Sequence, residues 1–265
     1  MPILNAREDT AGNRPADPPA SLAAALAACR AAHFDAARNV FDYGAFRHSA
    51  EYGSLQAAAS ALAAFDCASL GVGRRIPFWL NVYNALVLHG VIAREVGDSV
   101  RSVGDFYSES KYRVGGHEFS LDDIEHGLLR MNAAPRRGAR RPMREDDPRQ
   151  ALAPILFDER VHFAMYSACR SSPALTVFGA ATIEDELEAA ARAHLRAHVR
   201  LANGGAALLV PKIFDWYEAD FGGTDGVRAF VIARLERDED VEAIDRRGRR
   251  VALKYQEFDW SLNAP

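Results

Sequence analysis

Cysteine is scarce and unpaired in this sequence. Its three cysteines, Cys29, Cys67 and Cys169, are odd in number and widely spaced, which argues against a disulfide framework and fits a reducing compartment. There is no CxxC and no HExxH, so neither a metal nor a cofactor is expected. The absence of a GxSxG elbow removes support for an α/β-hydrolase. No stretch reaches ~18 uninterrupted apolar residues, so no membrane span is expected. The first twenty residues hold no apolar run long enough for a signal peptide and read as a flexible, Pro-rich polar arm, with the cytoplasm as the default location. Positive charge is not in excess either. The formal net charge of -4 gives no general attraction to nucleic acid. The arginines of 136–144 form a local basic run but lack interleaved aromatics for base stacking, so no nucleic-acid partner is expected.

What is present is ordinary globular material. The 265 residues are 49% hydrophobic and 26% charged, enough to bury a substantial core without staples. An Ala-rich helix is expected over 21–40 with Ser21 as N-cap, and a second over 54–67. Residues 77–94, PFWLNVYNALVLHGVIAR, form a helix that is apolar nearly all round and therefore buried. Asn81, Asn84 and His89 interrupt it, and their side chains must meet partners or line a polar pocket, since an unpaired buried amide costs ~1–3 kcal/mol. KYRVGGHEFS, 111–120, is a hairpin around Gly115-Gly116.

The hairpin runs into FSLDDIEHGLLR, 119–130. Ser120 and Asp123 have the spacing of a capping box, and Leu121, Ile124, Leu128 and Met131 follow at helical intervals. Glu125 borders that stripe. His126 and Arg130, four apart, share a face away from it, either plain surface or the side of a cleft. Residues 132–150 form an Arg- and Pro-containing loop, either a solvated connection or a lid. A buried segment follows and enters a tight turn around Ser167–Ser172. Later elements are a helix capped by Thr182, a short strand leading to an aromatic helix that ends at Gly222, one more helix, and a terminal pair of strands around a basic turn. The order describes an α+β, mainly helical single domain with a small antiparallel sheet or hairpins, spanning 21–265 behind the arm of 1–20.

Several stretches together resemble the family called domain of unknown function 547. They are FWLNVYNALVLHG (78–90), GGHEFSLDDIEHGLLR (115–130), VHFAMYSACRSSPAL (161–175), PKIFDWYEADF (211–221) and FDWSLN (258–263). The family pattern falls on Trp79, Asn81, Tyr83, Asn84, Glu125, His126, Arg130, Ser171 and Pro173, and on Trp216, Tyr217, Asp220 and Phe221. The resemblance implies a little-characterised domain of bacteria and plants, often joined to coiled coils in plants, and no settled reaction. The family usually has cysteines where this chain has Ser167 and Ser172, while Cys169 stands between them.

Two functions compete on these residues. One is an enzyme of acyl-transfer or hydrolytic type. In it His126 handles protons with Glu125 as a further catalytic candidate, and Cys169 or a neighbouring serine is the nucleophile. Arg170 beside Cys169 would lower its thiol pKa. Arg130 or Arg170, with Asn81, Asn84 and Ser171, would hold an anionic small-molecule or peptide-like substrate. The other is a non-catalytic ligand-binding or protein-interaction module, in which the same polar side chains form a buried network. Convergence of Asn81, His126 and Cys169 on one pocket would favour an enzyme or ligand site, and scattered, fully packed positions would favour an interaction module.

Overall fold

Helix α4, Arg75–Ala93, is the axis on which the molecule is assembled. Its Pro77 occupies the first turn, where the missing N–H costs nothing, and every residue from Pro77 to Ile92 is buried. Together with the turn before it, it is long and apolar enough to cross a membrane by length and composition. Here most of its apolar surface is covered by the rest of the chain. The computed structural model describes residues 3–6, 15–135, 139–202, 206–235 and 251–265.

Around α4 pack α1 (Pro18–His33), α2 (Tyr43–Phe46) and α3 (Ala50–Ala61). Helix α1 starts three residues before Ser21. Asp17 is its N-cap, accepting from the Ala20 amide, and prolines fill its first turn. It stops at His33 because the next residues pair as a two-residue hairpin, β1 (Phe34–Asp35) with β2 (Val40–Phe41). The single turn α5 (Phe106–Glu109) leads into the hairpin β3 (Lys111–Val114) and β4 (His117–Ser120). Both turn glycines have positive φ, 58° and 81°, the pairing a two-residue hairpin turn needs. Asn5 is buried, donating to the carbonyls of Ala59 and Arg113 and accepting from the Arg113 amide.

The second half has its own apolar cluster, built from α6 (Ile183–His198), a three-stranded sheet, α7 (Ile213–Trp216) and α8 (Gly223–Ile232). In the sheet β5 (Arg200–Ala202) pairs antiparallel with β6 (Ala207–Val210), and β6 pairs parallel with β7 (Ala252–Tyr255). The strand expected just upstream of β7 lies outside the described residues. Thr182 is the N-cap residue of α6, its carbonyl accepting the Glu186 amide, but its side chain accepts from no helix amide. Its hydroxyl donates to Glu186, whose carboxylate also accepts the Gly179 amide. The fold is thus α+β and mainly helical. The two clusters meet along 159–173: Phe163 enters the second, while Val161 and Ala164 enter the first.

The last residues return across both halves. Asn263 is fully buried; its side-chain oxygen accepts from the hydroxyls of Tyr43 (2.9 Å) and Tyr166 (2.8 Å), and its amide donates to the Asn39 carbonyl. This clasp fixes 258–260 at the seam between the clusters.

Candidate functional site

A cavity of about 250 Å³ opens at that seam. Its floor is the helix predicted over 121–131, and most of that helix is not α. Ser120 and Asp123 do form the capping box, each accepting from the other's amide. From Asp123 to Leu129 the backbone then widens into a π-helix, with the Arg130 amide bonded to the Glu125 carbonyl and Asn132 to Gly127. The wider turn changes which side chains share a face. Glu125, His126 and Arg130 are 9%, 7% and 6% exposed, so of the two expectations for this face, plain surface or the side of a cleft, the plain surface falls and His126 lines the cavity. π-turns of this kind are frequent at functional sites.

Each buried charge on this floor has a defined partner. Arg130 grips Asp220 bidentately, Nε to Oδ2 at 2.6 Å and Nη2 to Oδ1 at 3.0 Å, and its Nη1 donates to His126 Nδ1 at 2.9 Å. His162 donates from Nε2 to Asp220 Oδ2 at 2.9 Å and stacks on Tyr217, ring centroids 4.2 Å apart. Burial alone would raise the Asp220 carboxyl, but the His162 and Arg130 bonds outweigh it and hold the pKa at about 2. Glu125 accepts hydroxyl bonds from Tyr217 at 2.5 Å and Tyr83 at 3.2 Å. Burial opposes its ionisation, yet the neighbouring His126 ring, the Tyr217 hydroxyl and the Arg130 charge lower its carboxyl below the usual value.

The two histidines are driven toward the neutral form, chiefly by burial. Because Arg130 donates to Nδ1, the proton of neutral His126 sits on Nε2, which lies 4.0 Å from Asp122 Oδ1. Asp122 differs from its neighbours. It lines the cavity, is only half-buried, and has no cation closer than that imidazole among the described residues. Burial, then the charges of Glu125 and Asp123, push its carboxyl up to about 6.

The wall is aromatic. Trp216 and Tyr217 come from the α7 region, Phe258 and Trp260 from the C-terminal clasp, with Ile213, Met165 and Pro173 between. Trp216 packs on both Phe258 and Trp260, at 5.0 and 5.5 Å between ring centroids. Arg101, at the rim, lays its guanidinium over Trp260 at 4.2 Å.

Of the residues expected to act, the structure brings only some together. Glu125 and His126 line the cavity, and so does Ser167. Arg130 sits behind them, spent on Asp220 rather than open to an anionic ligand. Asn81 and Asn84 are not substrate-binding groups of this cavity. Asn81 clamps the Phe178 backbone in both directions, and Asn84 donates to the Ala164 and Thr176 carbonyls while accepting the Tyr166 amide.

Cys169 also lies elsewhere. Ala168, at φ 57°, turns the chain so that Ser167 reaches the cavity while Cys169 is fully buried. Its thiol donates to the Ser167 carbonyl, and burial pushes its pKa up to about 12, the opposite of activation. Arg170 is exposed and Ser171 is tied to the Asp259 amide, neither on the cavity. Ser172 instead supports the turn, accepting the Ser167 amide and donating to the Pro173 carbonyl. None of the described residues of the 132–150 loop lines the cavity, so the lid reading has no support there.

Sequence reasoning passed over Asp122, His162, Arg101 and Tyr107. Asp122 was masked by the α-helical period assumed for its helix, and His162 by the apolar run around it. Among the described residues, no group of three or more His, Cys, Asp or Glu is placed to hold a metal ion.

Residues 68–195 match the model of a protein family described as "Protein of unknown function, DUF547". This segment belongs to the DUF547 family. The matched segment carries α4, the π-helix and the 159–173 turn, so it supplies most of the polar floor, while Asp220 and Tyr217 come from beyond it. The aromatic wall, 213–217 and 258–260, comes from beyond it. Searches of curated proteins and of solved structures found no match.

Proposed function

We propose that this chain is a ligand-binding protein whose cavity holds a small organic molecule without transforming it. The observation that carries this reading is the pairing of the floor's charges: Arg130 is held by Asp220 and His126, Asp220 also accepts from His162, and Glu125 accepts from Tyr83 and Tyr217. A general base must offer a lone pair to the reacting proton. His126 instead offers an N–H, with its other nitrogen occupied by Arg130. A nucleophilic cysteine must ionise and be reached, and Cys169 does neither. A concave site with an aromatic wall and a few fixed polar groups is the usual form of a small-molecule pocket. At about 250 Å³ it suits a ligand smaller than the drug-sized molecules that occupy ~300–1,000 Å³ sites.

One feature favours the acyl-transfer or hydrolytic alternative. Ser167 lines the cavity together with His126, although no hydrogen bond joins them among the described residues. The test separates the two. Trp216 and Trp260 are wall residues, so a fragment screen read by tryptophan fluorescence reports occupancy. Ligands recovered chemically unchanged, and binding that survives Ser167→Ala, support the binding protein. Conversion of a bound compound by wild type and not by Ser167→Ala or His126→Ala overturns it.

A further inference from the structure

Resting on the ligand-binding reading, we infer that the cavity takes an organic cation bearing N–H donors, an alkylammonium or alkylguanidinium group, held between Asp122 and the aromatic wall. The floor's own cation is cancelled, since Arg130 is neutralised by Asp220 at 2.6 Å. Two lining carboxylates remain. Glu125 is bonded to two tyrosine hydroxyls, whereas Asp122 has only the His126 imidazole, at 4.0 Å, among the described residues.

A second, independent set of observations points the same way. His162 lines the cavity and is 3% exposed. Its Nε2 donates to Asp220, so Nδ1 is a bare acceptor, and it has no hydrogen-bond partner among the described residues. Tyr107, also lining, has a buried hydroxyl with no hydrogen-bond partner of good geometry among them; the Cys169 thiol is close enough to interact with it. The bare His162 acceptor matches a ligand that has donors and no acceptors, which describes an ammonium or guanidinium, and the Tyr107 hydroxyl, able to donate or accept, can accept from it as well.

The wall already shows its preference. The electron-rich ring faces attract cations, and Trp260 holds the guanidinium of Arg101 at 4.2 Å. Arg101 is exposed and long enough to swing away. It is an internal competitor for the ring face that a cationic ligand would use.

The experiment is a tryptophan-fluorescence titration at pH 7.5 and low salt with four small probes on a short alkyl chain: n-butylguanidinium, n-butylammonium, neutral butyramide and anionic butyrate. The cations should bind at least about 10-fold more tightly than butyramide, with butyrate weakest. Asp122→Asn should bring cations and amide to within about 3-fold, and Arg101→Ala should tighten the cations. A capped tripeptide with a central arginine, run beside n-butylguanidinium, tells a peptide side chain from a free amine as the source, and tighter binding of either supports the inference. Butyramide or butyrate binding as tightly as the cations, or an unchanged preference in Asp122→Asn that melts like wild type, overturns it. Benzyl alcohol keeps the two readings apart. If it perturbs the fluorescence while the cations show no preference, the cation inference falls and the pocket stands. If neither it nor any screened fragment binds, both fall.

Discussion

The π-helix floor, Asp122–Arg130, and the aromatic wall, residues 213–217 with 258–260, face the same cavity, but their side chains are held differently. On the floor each buried charge is fixed by at least one directional bond, so the groups form one network in which removing a member strands the others. The wall is held by ring packing and by the C-terminal clasp, which is less directional and more forgiving. A rigid polar floor fixes where ligand donors must sit, and an aromatic wall tolerates variation in the rest of the ligand. Asp122 stands at the boundary, on the floor's helix but outside its network.

Breaking the floor at its centre should have the largest effect. Arg130→Ala leaves Asp220 buried without its cation and removes the donor to His126. Losing one partner of a buried pair costs ~3–5 kcal/mol, so the variant should show a much lower Tm or fail to fold. The double variant Arg130→Met with Asp220→Leu should recover part of the loss. Next, Glu125→Ala removes a charged acceptor from two tyrosine hydroxyls. Bonds to charged groups contribute ~1.5–3 kcal/mol, and chemical denaturation should show a loss in that range. An unchanged midpoint in either case would mean that the floor is no more tightly held than the wall.

The pH dependence sharpens the contrast within the floor. Asp220 is lowered from 3.8 to about 2 by its partners, so its stabilisation is complete above pH 3.8 and is lost as pH falls toward 2, about 2 kcal/mol in all. Asp122 is raised to about 6, so the sign reverses: ionising it costs stability as pH rises from about 4 through 6, weakly because the side chain is half in solvent. Urea midpoints across pH 2–7 should follow a steep acid limb in wild type that Asp220→Asn flattens. Asp122→Asn should slightly raise the midpoint at pH 7. The smallest change in stability belongs to the wall. Trp260→Ala removes half-buried ring contacts of ~0.5–1.5 kcal/mol per pair and should lower Tm only slightly, while abolishing the ligand response.

Much of this was legible in the sequence, and the gaps have physical causes. Helix α4 was readable because a helix apolar nearly all round has only one place to go, and Gly115-Gly116 marked its hairpin through backbone conformation. Ser120 and Asp123 marked the start of the next helix for the same local reason. What followed was not local. The 3.6-residue period put His126 and Arg130 on a face away from the apolar stripe, surface or cleft, but the backbone widened into a π-helix, and Arg130 pairs with an aspartate ninety residues away, Asp220. Asn81 and Asn84 were rightly expected to need partners, and those turned out to be loop backbone rather than a ligand. Cys169 was singled out for its chemistry, while its burial depended on one left-handed residue, Ala168. No periodicity announces that Trp260 and Trp216 meet, since the Asn263 clasp that brings them together joins residues more than two hundred positions apart.

The most direct measurement is a ¹H–¹⁵N NMR titration that follows the indole N–H of the three tryptophans with n-butylguanidinium and benzyl alcohol. Trp216 and Trp260 line the cavity, whereas the Trp79 indole is buried and donates to the Leu152 carbonyl at 2.9 Å. Binding in the cavity predicts saturable shifts at Trp216 and Trp260 and none at Trp79. Shifts at Trp79, or three unmoved signals at saturating concentrations of both probes, would contradict it.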